Sequence, residues 1–132
     1  MIIYIAYKFA DVDKFALKEK LKALSKAIED KGNKTKVFFR DVQMWGDKII
    51  KPEEILPKAY ELIKESDAIF AFVDAGEKSE GQLLELGFAK AKGKKMILAI
   101  KDGLGYRFSR MLADEIIEFE SFEDLLNQIN AL

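Results

Sequence analysis

Short β-forming runs alternate with longer helical patterns five times along the chain, and this alternation constrains the possible fold most strongly. The predicted strands are residues 2–7, 35–40, 68–73, 96–100 and 115–119. The first run is apolar throughout, which is typical of a strand buried on both faces of a parallel sheet. The segments between the runs carry apolar residues at helical spacing, so a helix or helical turn is predicted after each strand.

Five β/α units within 132 residues predict a single domain over residues 1–132, with an α/β fold of three layers. We expect a flavodoxin-like, doubly wound sheet of five parallel strands in the order 2-1-3-4-5. Ligands of such sheets bind beyond the carboxyl ends of the strands, where the first and third strands are neighbours. The sequence therefore predicts a binding site among residues 7–13, 74–85 and 101–110.

The composition removes several kinds of chemistry. The chain has no cysteine and no histidine, so disulfides, thiolate ligands, cysteine nucleophiles and histidine bases are excluded. Catalysis would have to use carboxylates, hydroxyls or lysines. Lysine and arginine number 22 against 23 acidic residues, and this balance argues against a nucleic-acid polymer or an anionic membrane as the partner.

Hydropathy and charge content bear on the setting of the protein. No apolar stretch approaches the roughly 18 residues of a membrane span, and no signal-peptide pattern precedes the first strand. We therefore expect no membrane partner and a cytoplasmic location. The charged fraction of 34 % exceeds the average of roughly 25 %, which favours a heat-adapted source.

The loop after the third strand and the helix that follows it hold the main candidate site. Ser79 and Gln82 form the capping-box pattern S-x-x-Q, which predicts the helix start and an N-terminus able to bind an anion. Glu85 follows about two turns later, and no lysine or arginine stands three or four positions from it. Gly81 thins the helix surface nearby. Glu85 is thus either a solvated surface residue or a partly desolvated carboxylate with nucleophilic or acid/base function.

Packing is the alternative to function for several apolar residues. The helix that carries Glu85 is expected to bury one apolar face, formed by Leu83, Leu84, Gly87, Phe88 and Ala91. Met44 and Trp45 lie in a predicted irregular stretch over residues 41–51. They either form an aromatic lid that stacks on a nucleobase or pack against the fold or a partner subunit.

Three segments, residues 66–74, 79–89 and 93–95, resemble the nucleoside 2-deoxyribosyltransferase family, especially its branch of 2′-deoxynucleoside 5′-phosphate N-hydrolases. The specific part is the E-L-G-x-A run that begins at Glu85, with the S-x-G run that begins at Ser79. The resemblance implies a flavodoxin-like fold and a homodimer. It also implies that Glu85 is the nucleophile that attacks the sugar C1′, through a covalent intermediate as in retaining glycoside chemistry.

The resemblance further implies substrate-binding roles. Ser79 and Ser109 occupy the places of serines that hold a 5′-phosphate, and the second of these belongs to the site of a neighbouring subunit. Ser109 is equally interpreted as a helix cap from its local sequence. No metal is implied. No common cofactor is expected either, because GxGxxG and GxxxxGK[ST] motifs are absent and the first loop leaves little room.

The chain departs from the family's pattern at two places. The first loop is usually a turn of small residues, but this chain has Tyr7 and Lys8 there. Lys8 could bind a phosphate as a point charge, whereas Tyr7 either contacts the substrate or fills the pocket. Ala59 stands where many members have an aspartate that contacts the sugar or assists the leaving base. Either another acid such as Asp74 takes that catalytic role, or the machinery is incomplete.

The leading interpretation is an enzyme that cleaves or transfers the N-glycosidic bond of a small-molecule 2′-deoxynucleoside or its 5′-monophosphate. One alternative is a non-catalytic module for nucleotide sensing or protein interaction, similar in architecture to TIR-type domains. Ala59 and the altered first loop favour it. Another alternative is a TIR-like NAD glycohydrolase, since a helix glutamate serves there too.

Overall fold

The computed structural model describes all 132 residues, and a five-stranded sheet forms its centre. The strands are β1 (Ile2–Ala6), β2 (Lys34–Val37), β3 (Ala68–Val73), β4 (Lys95–Lys101) and β5 (Glu115–Phe119). Every neighbouring pair is parallel, and the order is β2-β1-β3-β4-β5. The predicted flavodoxin-like sheet and its strand order are therefore confirmed.

Six α-helices and a 3-10 turn (Met44–Gly46) join or follow the strands. The helices are α1 (Lys14–Glu29), α2 (Phe38–Asp41), α3 (Pro52–Lys64), α4 (Glu80–Ala91), α5 (Arg107–Leu112) and α6 (Phe122–Asn130). The side chains of Asp13, Ser79 and Ser121 cap α1, α4 and α6, each accepting a hydrogen bond from a first-turn N–H. None of these helices combines the length and apolar character needed to cross a membrane.

Helices cover both faces of the sheet, and alternate residues of β1 face opposite layers. Ile3 and Ile5 pack into a core with α1 and α6, whereas Tyr4 and Ala6 pack into a second core with α3 and α4. All six residues of β3 are buried, because this central strand has a helical layer on each side. The period of two along β1 therefore turns Tyr4 toward α4.

The second strand is shorter than predicted. The sequence pattern predicts a strand over residues 35–40, but β2 ends at Val37 and Phe38 begins the short helix α2. β2 is an edge strand whose pairing with β1 ends at Val37. The side chain of Asp41 accepts a hydrogen bond from the Val37 N–H at 2.8 Å, which supports the helical turn. Phe38 is buried in the core, so its apolar character reflects packing and not strand pairing.

Helix α4 buries a different face from the one expected. Its buried residues are Gln82, Leu86 and Ala89, while Leu83 and Leu84 are exposed. The inward side is the side of Gln82, whose side-chain amide donates hydrogen bonds to backbone carbonyls of the sheet and so can be buried without loss. The expected face is therefore wrong at Leu83, Leu84, Gly87 and Ala91, which are exposed. Phe88 does pack against the core, where its ring stacks on Tyr60.

Candidate functional site

A cavity of about 230 Å³ opens at the carboxyl end of β1, with walls from α2, α3 and α4. Strands β1 and β3 pair with each other, and folds of this kind bind ligands just beyond the carboxyl ends of these two strands. Much of the wall is apolar, including Phe9, Phe38 and Leu56. Its polar groups come from Tyr4, Tyr7, Gln43, Ser79, Gln82 and Glu85. Glu85 is the only charged side chain among the lining residues.

The carboxylate of Glu85 is partly buried in this wall and has one side-chain partner. The hydroxyl of Tyr4 donates a hydrogen bond to Glu85 Oε2, with the two oxygens 2.5 Å apart. No ion pair involves Glu85. Burial raises the pKa of Glu85 to about 7, against the smaller lowering effect of the Tyr4 hydrogen bond. Glu85 is therefore a partly desolvated carboxylate inside a cavity, with a tyrosine hydroxyl and no cation as its partner, which favours the functional alternative over a fully solvated surface residue.

Tyr4 is a site residue that the sequence reasoning missed. It is 1 % exposed, and burial followed by the charge of Glu85 raises the pKa of its hydroxyl well above 10. The hydroxyl therefore stays protonated and donates to the carboxylate across the physiological pH range. The sequence feature that could have identified Tyr4 is the alternation of side chains between the two faces of β1. It places Tyr4 on the face that α3 and α4 cover.

Gln82 is a second site residue that the sequence reasoning interpreted incompletely. The capping half of the predicted box is present, since the Gln82 N–H donates to Ser79 Oγ at 3.2 Å. The other half of the box, a hydrogen bond between the Gln82 side chain and the backbone N–H of Ser79, is not formed. Gln82 Nε2 instead donates to the carbonyl oxygens of Ala6 at 3.1 Å and Phe72 at 3.0 Å. Gln82 thus attaches the first turn of α4 to the carboxyl ends of β1 and β3.

Tyr7 separates the Glu85 cavity from a second cavity of about 230 Å³ beside α1. It contributes to the lining of both and is 8 % exposed. Its hydroxyl accepts a hydrogen bond from the Phe39 N–H at 2.7 Å, which fixes the ring in place. Burial raises the pKa of the Tyr7 hydroxyl far above its usual range. Tyr7 therefore fills the space between the two cavities, and its predicted contact with the substrate stays a prediction.

Lys8 and Asp74 line the second cavity and not the Glu85 cavity. Asp74 forms an ion pair with Lys20 at 3.0 Å, and Lys8 Nζ donates to the backbone carbonyl of Ala10 at 2.6 Å. The carboxylates of the chain form no group of three or more that could hold a metal ion. The catalytic role predicted for Asp74 and the phosphate-binding role predicted for Lys8 stay predictions.

Ser109 lies inside α5 and is buried, so its interpretation as a helix cap is wrong. The residue before the helix is Tyr106, in a left-handed conformation with φ 50° and ψ 50°. The Tyr106 hydroxyl donates to the carbonyl oxygens of Ala75 and Glu77, which ties the start of α5 to the loop before α4. Ser109 does not line the Glu85 cavity of its own chain. Its predicted contribution to a neighbouring subunit stays a prediction.

Ala59 and Trp45 both lie outside the Glu85 cavity. Ala59 is 1 % exposed, packs into the core with Ile63, and does not line the cavity. Trp45 also lies outside the cavity, and its ring packs edge-on against Phe39 with a centroid distance of 5.2 Å. The packing interpretation of Trp45 is therefore confirmed.

The fold and the cavity define a flavodoxin-like α/β protein whose largely apolar site, at the carboxyl end of the sheet, contains one carboxylate. Its solved structural relatives include a Clostridium botulinum CMP N-glycosidase, BcmB, with a TM-score of 0.73, 22 % identity and 100 % coverage of both chains. A 2-deoxyribosyltransferase from Bacillus psychrosaccharolyticus matches with a TM-score of 0.63, 22 % identity and coverage of 96 % of this chain and 91 % of that chain.

The solution structure of BlsM matches with a TM-score of 0.73 and 21 % identity over 98 % of this chain and 86 % of that chain. No protein-family model and no curated protein matches the sequence. At these identities the likeness establishes the fold that the chain shares with these proteins, which is the fold implied by the sequence resemblance.

Proposed function

We propose that this chain is an enzyme that cleaves or transfers the N-glycosidic bond of a 2′-deoxynucleoside or its 5′-monophosphate, with Glu85 as the nucleophile. The observation that carries the proposal is the Glu85 carboxylate, which has no cationic partner and lines a cavity at the carboxyl end of β1. Two structural relatives, a CMP N-glycosidase and a 2-deoxyribosyltransferase, act on bonds of this kind, and this adds support.

The reaction has two displacements. A Glu85 carboxylate oxygen forms a bond to C1′ as the bond from C1′ to the base nitrogen breaks, and the electron pair leaves with the base. The departing base takes up a proton. Water or a second base then attacks C1′ and releases the Glu85 carboxylate, which gives hydrolysis or transfer. The Glu85 cavity holds no second carboxylate, so we propose that the base draws its proton from solvent or, as the sequence predicts, from Asp74 in the adjoining cavity.

The first turn of α4 is suited to the polar end of the sugar. Ser79 caps the helix with its hydroxyl oxygen and keeps its own proton to donate, and unpaired first-turn N–H groups favour an anion. Gly81 leaves this surface open, since nothing lies within 4 Å of the place a Cβ would take. We therefore propose that Ser79 and Gly81 contact the 5′-hydroxyl or 5′-phosphate and that Tyr7 borders the opposite side of the substrate.

The proposal predicts release of free base. The purified chain is incubated with each common 2′-deoxynucleoside, each 5′-monophosphate and NAD, and the products are separated by chromatography. We expect free base from at least one deoxynucleoside or monophosphate, and a new nucleoside when a second base is added if transfer competes with water. Release of nicotinamide alone would assign the chain to NAD glycohydrolysis instead, and intact substrates throughout would contradict enzymatic function.

A non-catalytic nucleotide-binding module is the second candidate, favoured by the burial of Ala59 where a catalytic aspartate would be needed. The same compounds in a thermal-shift experiment separate the two candidates. Stabilisation by a nucleotide without turnover supports the module, whereas turnover supports the enzyme.

Exposed apolar side chains on α5 support a homodimer. Phe108 is 73 % exposed and Met111 is 70 % exposed, and the two stand three positions apart, as neighbours on the helix surface. Such clustering on a surface is typical of a protein contact. We expect Met111→Glu to halve the mass measured by analytical ultracentrifugation, while Phe15→Glu, on the similarly exposed Phe15 of α1, leaves it unchanged. A wild-type chain that sediments as a monomer at high concentration would contradict the homodimer.

A further inference from the structure

The amide of Gln82 has a fixed orientation. Its two side-chain contacts are the carbonyl oxygens of Ala6 and Phe72, which can only accept hydrogen bonds. The NH₂ group of Gln82 must therefore face the sheet, and the oxygen Oε1 must point away from these two carbonyls. Gln82 is 2 % exposed, so its amide is almost entirely shielded from bulk solvent.

Gln82 Oε1 has no donor within the protein, although the amide nitrogen has two acceptors. Every fully occluded polar side-chain atom of this structure has a partner, so Oε1 must reach open space. Gln82 borders the Glu85 cavity and, on its other side, a much smaller recess beside Tyr106, so the Glu85 cavity is the one of the two that can hold a ligand. A ligand that pairs with this oxygen would therefore lie in the Glu85 cavity.

The position of Gln82 on α4 indicates which ligand group it meets. Ser79, Gln82 and Glu85 are spaced three residues apart, which is about 4.5 Å of helix axis for each step. Under the proposed function, Glu85 attacks C1′ and Ser79 contacts the 5′ end of the sugar. Gln82 then faces the ring between these two points, and the ring of a 2′-deoxyribose carries one hydroxyl, at C3′.

We propose that Gln82 Oε1 accepts a hydrogen bond from the 3′-hydroxyl of the substrate and makes this site selective for sugars that carry it. The inference rests on the proposed function. A sugar without the 3′-hydroxyl leaves a buried acceptor unpaired, and sites that hydrogen-bond a substrate hydroxyl discriminate strongly against analogues that lack it. We expect wild-type kcat/KM to be about tenfold to hundredfold lower for a 2′,3′-dideoxynucleoside than for the 2′-deoxynucleoside with the same base.

The experiment measures the ratio of kcat/KM for the 2′-deoxynucleoside to kcat/KM for the 2′,3′-dideoxynucleoside. This ratio is compared between wild type, Gln82→Met and Gln43→Met. Methionine keeps the length of the side chain but lacks the acceptor, so Gln82→Met is expected to bring the ratio down toward its intrinsic value. Gln43 is the other glutamine of the cavity wall, and its replacement is expected to keep the wild-type ratio. Comparing ratios between variants cancels the different intrinsic reactivity of the two sugars.

If Gln82→Met fails to fold, calorimetric binding of both nucleosides to Glu85→Gln replaces the kinetic comparison. Weaker binding of the dideoxynucleoside supports the proposal. Equal binding, or an unchanged kinetic ratio in folded Gln82→Met, overturns it and leaves the proposed function intact. Failure of the wild type to release any base or to bind any nucleoside overturns the proposed function, and this inference with it.

Discussion

Glu85→Gln is expected to lower the rate of base release by about a thousandfold or more. The amide oxygen cannot form the glycosyl ester, and loss of a nucleophile is among the largest single effects in enzymes. The measurement is kcat for the preferred nucleoside under saturating conditions at pH 8, where the native carboxylate is ionised. The matched control is Glu80→Gln, an exposed glutamate in the first turn of the same helix, which is expected to retain activity. Comparable rates for Glu85→Gln and wild type would remove Glu85 from the chemistry.

The same variant should gain stability at alkaline pH. Burial raises the pKa of Glu85 from 4.5 to about 7, so the folded chain binds this proton more tightly than the unfolded chain. This proton's contribution to the free energy of unfolding is complete below pH 4.5 and is lost as the pH rises to 7. The free energy of unfolding falls by about 3 kcal/mol over this range. Glutamine does not ionise. Glu85→Gln is therefore expected to melt at a higher temperature than wild type at pH 8 and at a similar temperature at pH 4.

Tyr4→Phe is expected to move the pH dependence of activity to higher pH. Wild-type kcat/KM should rise about tenfold per pH unit up to about pH 7, as Glu85 ionises, and then level off. The Tyr4 hydrogen bond lowers the pKa of Glu85, so removing the hydroxyl raises that pKa. A hydrogen bond to a charged group corresponds to a shift of about one pH unit or more.

The measurement is kcat/KM for one nucleoside between pH 5 and pH 9. At pH 6 the Tyr4→Phe variant should be slower than wild type by about tenfold or more, and the two curves should converge toward pH 9. Tyr60→Phe is the control, because its ring stacks on Phe88 at 4.0 Å and loses only an uninvolved hydroxyl. An unshifted profile for Tyr4→Phe would show that this hydrogen bond does not set the ionisation of Glu85.

The sheet and most helix starts were predictable because their determinants are local. The apolar run of β3 needs no partner to be recognised as a buried strand, and Ser79 caps α4 through a contact only three residues away. The end of β2 was not predictable in this way. Val37 is the last residue of β2 that pairs with β1. Where this pairing ends depends on the assembled sheet and not on the local sequence.

In the candidate site too, features set by local sequence were predictable and contacts between distant residues were not. The absence of cations near Glu85 along its helix pointed to an unpaired carboxylate, but the partner it does have, Tyr4, lies 81 positions away in sequence. The side chain of Gln82 was expected to serve the helix start and instead reaches carbonyls of two strands. Such contacts depend on how α4 sits on the sheet, which neither periodicity nor spacing determines.

Helix α4 and its capping residue carry Ser79, Gln82 and Glu85, which are proposed to contact the sugar and to attack C1′, whereas the facing wall comes from separate segments. Ser79, Gln82 and Glu85 keep their relative positions because the hydrogen bonds of α4 fix them. Phe38, Gln43 and Leu56 belong to other parts of the chain. Base preference could therefore be redesigned by directed evolution of that facing wall, while the reacting carboxylate and its sugar contacts remain in place.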